Sequence, residues 1–423
     1  MSHSGGICVI AGEASGDAQI APVIAELRCT LNDAGFRNLP FWGVAGPQMR
    51  QLGVEPVVPL ENIAVMGFTE IVPAYFRIQK VYNKMLREVE CRNPLAVLLV
   101  DYPGFNLRFA RDVFERGNTV IYHIAPKVWA RDWNRVEELR DFTHLVTVIL
   151  PFEERLLRAE GINAFFVGNP LCDGVRNYRL KNSLSQAVSC GFAENCVRIA
   201  VLPGSRKAEL QLLLPLFVAA LFELEKRLGK NIVAKIPVAP TLSLDFVKRI
   251  LMTSAGSLGV SADWVAAHVR LETDGVYPVL ADADYCWVCS GTAALETAFF
   301  EVPNSVAYRM SWPSAVLMKL LMNIRWVSLS NLCGGREIVP EYLQHRATVE
   351  NLVSHAHHML TNSVAREFMR AELRELERLF PNAGANRAAK QMAGTIISNL
   401  LPEEQKFKKH IETRGRILSE VLR

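Results

Sequence analysis

Residues 11–17 read Ala-Gly-Glu-Ala-Ser-Gly-Asp, directly after the apolar run Ile7-Cys8-Val9-Ile10. The run suits a buried parallel strand, and the small residues after it suit a tight strand-to-helix turn. Gly12 and Gly16 allow close backbone approach, and a helix over about 18–27 would aim its first N–H groups at an oxygen-rich ligand. Glu13, Ser15 and Gly16 are the expected contacts of this turn. A purely structural turn explains the same residues. Two further elements of this style, Leu202-Pro203-Gly204-Ser205-Arg206 and Ser290-Gly291-Thr292-Ala293-Ala294-Leu295-Glu296, favour ligand binding.

Asp101 follows Leu98-Leu99-Val100 and begins Asp101-Tyr102-Pro103-Gly104-Phe105-Asn106. A half-buried carboxylate at a strand end has its pKa raised towards that of a general base. Pro103 and Gly104 suit a helix cap or turn aspartate equally well. Arg206, after Ser205 and past a strand, suits a bidentate grip on phosphate. Ser290, Gly291 and Thr292 open a helix whose amides and hydroxyls would seat a diphosphate, and Glu296 one turn later would accept from ribose hydroxyls. Helix capping accounts for part of this pattern.

Other candidates are weaker. Asp282-Ala283-Asp284 resembles a metal-binding pair but precedes its strand, so it falls at the amino end, away from the ligand side; no metal is expected. Cys286 and Cys289 form a C-x-x-C inside Tyr285-Cys286-Trp287-Val288-Cys289, where core packing is the expected role, and no second pair completes a zinc site. Residues 63–87 differ in kind. Val65, Met66, Phe68, Ile71, Val72, Tyr75 and Phe76 crowd together, followed by Arg77, Lys80, Lys84 and Arg87. Such a segment rests on anionic lipid or forms a core helix with a basic solvent face.

The elements that must position these residues alternate. Strands are expected at 8–11, 41–44, 96–100, 119–123, 145–150 and 165–167, then at 198–202, 232–237, 285–289 and 305–307, with amphipathic helices between them. This alternation implies parallel sheets covered on both faces. A length of 423 residues implies two domains. They are expected at 1–172 and 196–383, with a polar linker at 173–195 and a helical segment at 384–423 that has no evident place in either sheet. Ligands then sit at the carboxyl ends of the strands, in a cleft between the domains. A net charge of +4 without a long basic block argues against nucleic acid. Nine scattered cysteines read as reduced thiols of a cytoplasmic protein. No signal peptide and no membrane span are expected.

The ordered set of motifs resembles the lipid-A-disaccharide synthase family. The matches are 11–17, Gly43-Val44-Ala45-Gly46-Pro47-Gln48-Met49, 64–67, 101–106, 126–130, 202–206, 290–296, Ser328 to Leu332, and Gly335-Arg336-Glu337. The resemblance implies the two-Rossmann-domain (GT-B) glycosyltransferase fold. It also implies inverting transfer of 2,3-diacylglucosamine from UDP to the 6-hydroxyl of 2,3-diacylglucosamine 1-phosphate (lipid X). By the same resemblance Asp101 is the base, Arg206 binds the donor diphosphate, Glu296 contacts the ribose, and Asn331 lies close to that site. No cofactor or metal is implied. The family also implies a homodimer that exchanges C-terminal helices, attached peripherally to the cytoplasmic face of the inner membrane. Two residues depart from its usual pattern: Arg131 after Ala130, and Asn169 in Gly168-Asn169-Pro170. Related UDP-sugar enzymes, such as the peptidoglycan UDP-GlcNAc transferase and UDP-GlcNAc 2-epimerases, are the alternative reading. A nucleotide-binding scaffold without activity would leave Asp101 without a purpose.

Overall fold

The computed structural model of the protein describes residues 5–63, 71–131, 133–182, 196–310 and 325–400. The chain divides into two compact units. One runs to Pro170 and takes up again at Asn382; the other is Leu171–Pro381.

The first unit is built on seven strands: β1 (Ile7–Ala11), β2 (Phe41–Ala45), β3 (Glu55–Pro59), β4 (Ala96–Val100), β5 (Val120–His123), β6 (Leu145–Val148) and β7 (Ala164–Phe166). Their order is β3-β2-β1-β4-β5-β6-β7, all parallel. The side chains of β1, β2 and β4 are buried throughout, which is why these strands read as continuous apolar runs. β3, at the edge, has two prolines and two exposed residues, and no apolar run announces it.

The second unit has β8 (Cys196–Leu202), β9 (Asn231–Pro237), β10 (Val269–Glu272), β11 (Tyr285–Cys289), β12 (Asn304–Tyr308) and β13 (Glu341–Leu343). The order is β10-β9-β8-β11-β12-β13, again all parallel. Each sheet therefore reverses direction once, at β1/β4 and at β8/β11. These switch points are where α/β sheets open to ligands at the carboxyl ends of strands.

Two segments differ from the sequence expectation. Of the linker expected at 173–195, residues up to 182 belong to the helix Pro170–Asn182 in the second unit. Proline opens this helix, Cys172 and Val175 are buried, and Arg179 and Lys181 lie in its last turn, where the dipole favours cations. Arg176 and Arg179 tie it to Glu377 at 2.9 and 3.1 Å. Residues 183–195 lie outside the described residues. The segment after residue 384 does have a place: the helix Gly384–Leu400 packs on the helix Ala14–Asp33. Ala388, Ala389, Met392, Ala393 and Ile396 join Ile20, Ile24 and Leu27 in one core. Small residues let the two helices approach closely, and Asn386 donates to Glu26 at 2.7 Å. The described part of the segment expected to exchange between subunits thus closes on its own chain; residues 401–423 lie outside the description.

The helix Ile71–Arg92 resolves the two readings of 63–87 in part. Val81, Tyr82, Met85 and Val89 are buried, whereas Arg77, Lys80, Lys84 and Arg87 are exposed. Their spacing lines the cations up on one helical stripe. Phe76 is 63% exposed. Val65, Met66 and Phe68 lie outside the described residues, and so do the side chains of Ile71, Val72 and Tyr75. No helix among the described residues is long and apolar enough to cross a membrane.

Candidate active site

At the switch point of the first sheet, Ala11 pairs with Val100, so the chain leaves β1 and β4 side by side at Gly12 and Asp101. The helix begins at Ala14, one turn earlier than expected, and Ser15 and Gly16 belong to its first turn. Glu13 occupies the N-cap without a side-chain cap bond. Glu13 and Ser15 are exposed; Gly16 is buried against Val100 and Ala11. The first-turn N–H groups are therefore not consumed by a capping side chain.

Asp17, 2% exposed, has a different role. Its carboxylate accepts the N–H groups of Gln48 and Met49 at 2.9 and 3.1 Å, capping the helix Pro47–Gln51. Two of the sequence motifs are thereby joined. Gly46 is required there because a Cβ would lie 2.4 Å from the Asp17 carboxyl carbon.

Asp101 and Tyr102 both have left-handed backbones, with φ of 46° and 49°. Such residues each cost about 1–2 kcal/mol, so consecutive ones require compensation from their surroundings. The Asp101 N–H donates to the His123 carbonyl at 2.9 Å. Its carbonyl accepts from Asn106 Nδ2 at 2.8 Å and from the Tyr122 hydroxyl at 2.7 Å. The Tyr102 ring lies against Gly12, where any Cβ would meet it at 2.1 Å. Burial pushes the Asp101 carboxyl above its ordinary pKa; the Tyr102 N–H and the Lys127 ammonium oppose that shift in part.

Beyond Lys127, the Trp129 indole donates to Glu153 at 2.9 Å, and burial pushes this carboxyl up to about 7. Asn169, one of the two departures from the family pattern, is buried and donates to the Ile149 carbonyl at 3.1 Å. The Arg131 side chain lies outside the described residues.

In the second sheet Leu202 pairs with Val288, which places the loops 203–206 and 290–292 next to each other. Gly204 has φ 110°, and a Cβ there would lie 2.4 Å from Glu209 Oε2. Glu209 was not singled out by the sequence reading, although its spacing three residues after the Arg206 N-cap is that of a capping box. Its carboxylate accepts the Ser205 and Arg206 N–H groups at 3.2 and 3.3 Å and pairs with the Arg206 guanidinium at 3.3 Å. The Arg206 side chain is 80% exposed.

The helix Thr292–Phe299 has Gly291 as N-cap without a side-chain cap bond, and among the described residues no atom lies within 4 Å of where a Gly291 Cβ would stand. Thr292 is exposed, whereas the Ser290 hydroxyl donates to the Val327 carbonyl at 3.2 Å. Burial raises the Glu296 carboxyl to about 7; burial, and after it the Glu296 charge, raise the Tyr277 phenol. Among the described residues no hydrogen bond or ion pair engages the Glu296 carboxylate.

Asn331 is fully buried and its amide is used internally. Its oxygen accepts from the Ile338 and Val339 N–H groups at 2.7 and 3.0 Å, and its nitrogen donates to Val339 O and Glu341 Oε1, both at 2.8 Å. The family resemblance places it close to the donor site. In the structure it fixes the turn that Glu341 also holds, through the Val327 and Ser328 N–H groups, each at 2.9 Å.

The other candidates have structural partners. Asp282 and Asp284 pair with Arg198 at 2.9 and 2.8 Å, and Lys235 meets Asp282 at 2.8 Å. Among the described residues no cluster of His, Cys, Asp and Glu could hold a metal ion. Cys286 and Cys289 are free thiols buried in β11.

Two doubly wound parallel units with ligand-type turns at their switch points define the class: the GT-B architecture of glycosyltransferases and related sugar-nucleotide enzymes. A glycosyltransferase from Rickettsia africae superposes with a TM-score of 0.52 at 11% identity, over 92% of this chain and 98% of that one. The UDP-GlcNAc 2-epimerase of Neisseria meningitidis, solved bound to UDP-GlcNAc, superposes with 0.56 at 13% identity, over 92% and 99%. At these identities the likeness concerns fold alone.

Sequence resolves the class further. Residues 7–396 match the family described as lipid-A-disaccharide synthetase. The lipid-A-disaccharide synthase of Anaeromyxobacter sp. (strain K) is 33% identical over 92% of this chain and 97% of its own. The chain belongs to the lipid-A-disaccharide synthase family, and it is a glycosyltransferase of lipid A biosynthesis.

Proposed function

We propose that the protein transfers 2,3-diacylglucosamine from UDP to the 6-hydroxyl of lipid X. The Asp101 carboxylate takes the hydroxyl proton as O6 bonds to the anomeric carbon. The bond from that carbon to the UDP oxygen breaks on the opposite face, so the new β-1′,6 linkage is inverted and UDP leaves. Arg206 and the Gly291–Thr292 helix start meet the charge growing on the diphosphate. Glu13, Ser15, Gly16 and Ser205 line the two loops as substrate contacts, and Glu296 accepts from the ribose. The reading rests foremost on Asp101, a half-buried carboxyl with a raised pKa on a strained turn at a sheet switch point.

Incubation with UDP-2,3-diacylglucosamine and lipid X, followed by mass analysis, should give the disaccharide 1-phosphate and stoichiometric UDP. UDP without disaccharide would refute the acceptor assignment. Turnover should persist in EDTA, because Asp282 and Asp284 are already neutralised by Arg198 and Lys235. Loss of activity that magnesium restores would contradict this.

A base must be ionised to act. With its pKa raised by burial, the Asp101 carboxyl should make kcat fall as pH drops, with a midpoint above the ordinary carboxylate value of about 4. Glu296, at about 7, loses its charge over the same descent and should raise KM for the UDP-sugar. A kcat that stays flat down to pH 4 would rule out a carboxylate base.

Both substrates are acylated, so the enzyme should work at the cytoplasmic surface of the inner membrane, and the family resemblance makes it a homodimer there. Val65, Met66, Phe68, Ile71, Val72, Tyr75 and Phe76 are the proposed apolar contact, flanked by the exposed cations of 77–87. Each cation near an anionic surface contributes about 1 kcal/mol, screened by salt. Phe76→Ser combined with Lys80→Gln should reduce co-sedimentation with anionic vesicles without lowering Tm, since both side chains are exposed. Unchanged vesicle binding would move the contact elsewhere.

A further inference from the structure

We propose that Asn106 and Tyr122 are positioning residues for the Asp101 carboxylate, holding the left-handed turn that aims it; this rests on Asp101 being the base. Both side chains are fully buried, and both converge on a single atom, the Asp101 carbonyl oxygen, at 2.8 and 2.7 Å. Asn106 Nδ2 also reaches the Val100 carbonyl at 3.1 Å. With the Asp101 N–H held by His123 at 2.9 Å, the backbone is pinned on both sides of its α-carbon. That fixes the direction of the Cα–Cβ bond, and with it the region the carboxylate sweeps.

The placement of Asn106 is otherwise hard to explain. It lies in the first turn of the helix Pro103–Phe114, yet its side chain turns back to the strand end and caps nothing in its own helix. Its Oδ1 is buried without a hydrogen-bond partner among the described residues. A buried asparagine that leaves its acceptor unsatisfied to spend both N–H groups on the carbonyls of Val100 and Asp101 is held there for those two carbonyls. Without these donors the turn relaxes towards the right-handed or extended backbone that non-glycine residues prefer, and the carboxylate swings away. A displacement of about 1 Å from productive geometry can cost about a hundredfold in rate.

The test combines Tyr122→Phe and Asn106→Ala with Asp101→Asn in double-mutant cycles. Tyr122→Phe keeps the ring in the core and removes only the hydroxyl. In the wild-type background we expect kcat to fall about tenfold for Tyr122→Phe and about tenfold to a hundredfold for Asn106→Ala, with KM for both substrates within about twofold. In the Asp101→Asn background neither change should lower the residual rate further, because a misaimed amide loses nothing. An equal loss in both backgrounds, a rise in KM in place of the kcat loss, or full activity of folded Tyr122→Phe would overturn the proposal. Should Asn106→Ala fail to fold, Tyr122→Phe decides alone. Near wild-type turnover of Asp101→Asn itself would instead refute the base assignment, so the two failures are told apart within one set of proteins.

Discussion

Asp101→Asn should lower turnover by about a hundredfold to ten-thousandfold while leaving UDP affinity unchanged. The substitution is nearly isosteric, and the three hydrogen bonds that fix this turn involve the residue's backbone only, so the fold should not register the change. What disappears is the ability to take the acceptor's proton. The amide also does not titrate, so the acid limb of the kcat–pH profile should vanish with the activity. Steady-state turnover followed by UDP release is the measurement, with calorimetric UDP binding as the control. Wild-type turnover in a folded Asp101→Asn protein would require another base; Glu153, buried and raised to about 7, would then be the first to examine.

Arg206→Ala should reduce kcat by about a hundredfold to a thousandfold and weaken UDP binding with it, the typical cost of removing a donor aimed at developing negative charge. The effect on stability should be small. The Arg206–Glu209 pair is solvent-exposed on the arginine side, and such pairs contribute about 0–1 kcal/mol. The contrast is diagnostic: a large kinetic loss without a fall in Tm marks a group that serves the ligand. Glu209 makes the expectation sharper, because its carboxylate already occupies the Ser205 and Arg206 N–H groups. A diphosphate therefore depends on the guanidinium more than on these two amides. Unchanged UDP affinity in Arg206→Ala would remove the phosphate role.

The parts of the candidate site that the sequence suggests are those dictated by local chemistry. Gly12, Gly204 and Gly291 sit where a strand ends and a helix begins, and that local pattern is written in adjacent residues. Arg206, Thr292 and Glu296 follow from it by spacing. The partners that set their properties are different. Tyr122 acts on Asp101 from the neighbouring strand, and Tyr277 feels Glu296 from another helix; neither relation leaves a periodic trace. Asn331 shows the converse limit. Only the resemblance places it near the donor site, and the four hydrogen bonds described for it go to residues 338–341, a structural task its motif does not announce.

By itself the sequence determined the central strands of both sheets, the loops at their carboxyl ends and the family to which the chain belongs. Strands buried on both faces must be apolar throughout, and a backbone that turns sharply there must use small residues. Tertiary structure alone decided three of the four sheet edges. β3, β10 and β13 face solvent on one side, are short or rich in proline and charge, and carry no distinguishing run. It also decided that Pro170–Asn182 is a helix of the second unit and that Gly384–Leu400 returns to the first, since the partners of Arg176 and Asn386 lie 201 and 360 residues away. The left-handed pair Asp101–Tyr102 belongs to the same class. Two non-glycine residues take up that backbone only because Asn106, Tyr122 and His123 meet around them, and which residues meet is settled by the order of the strands.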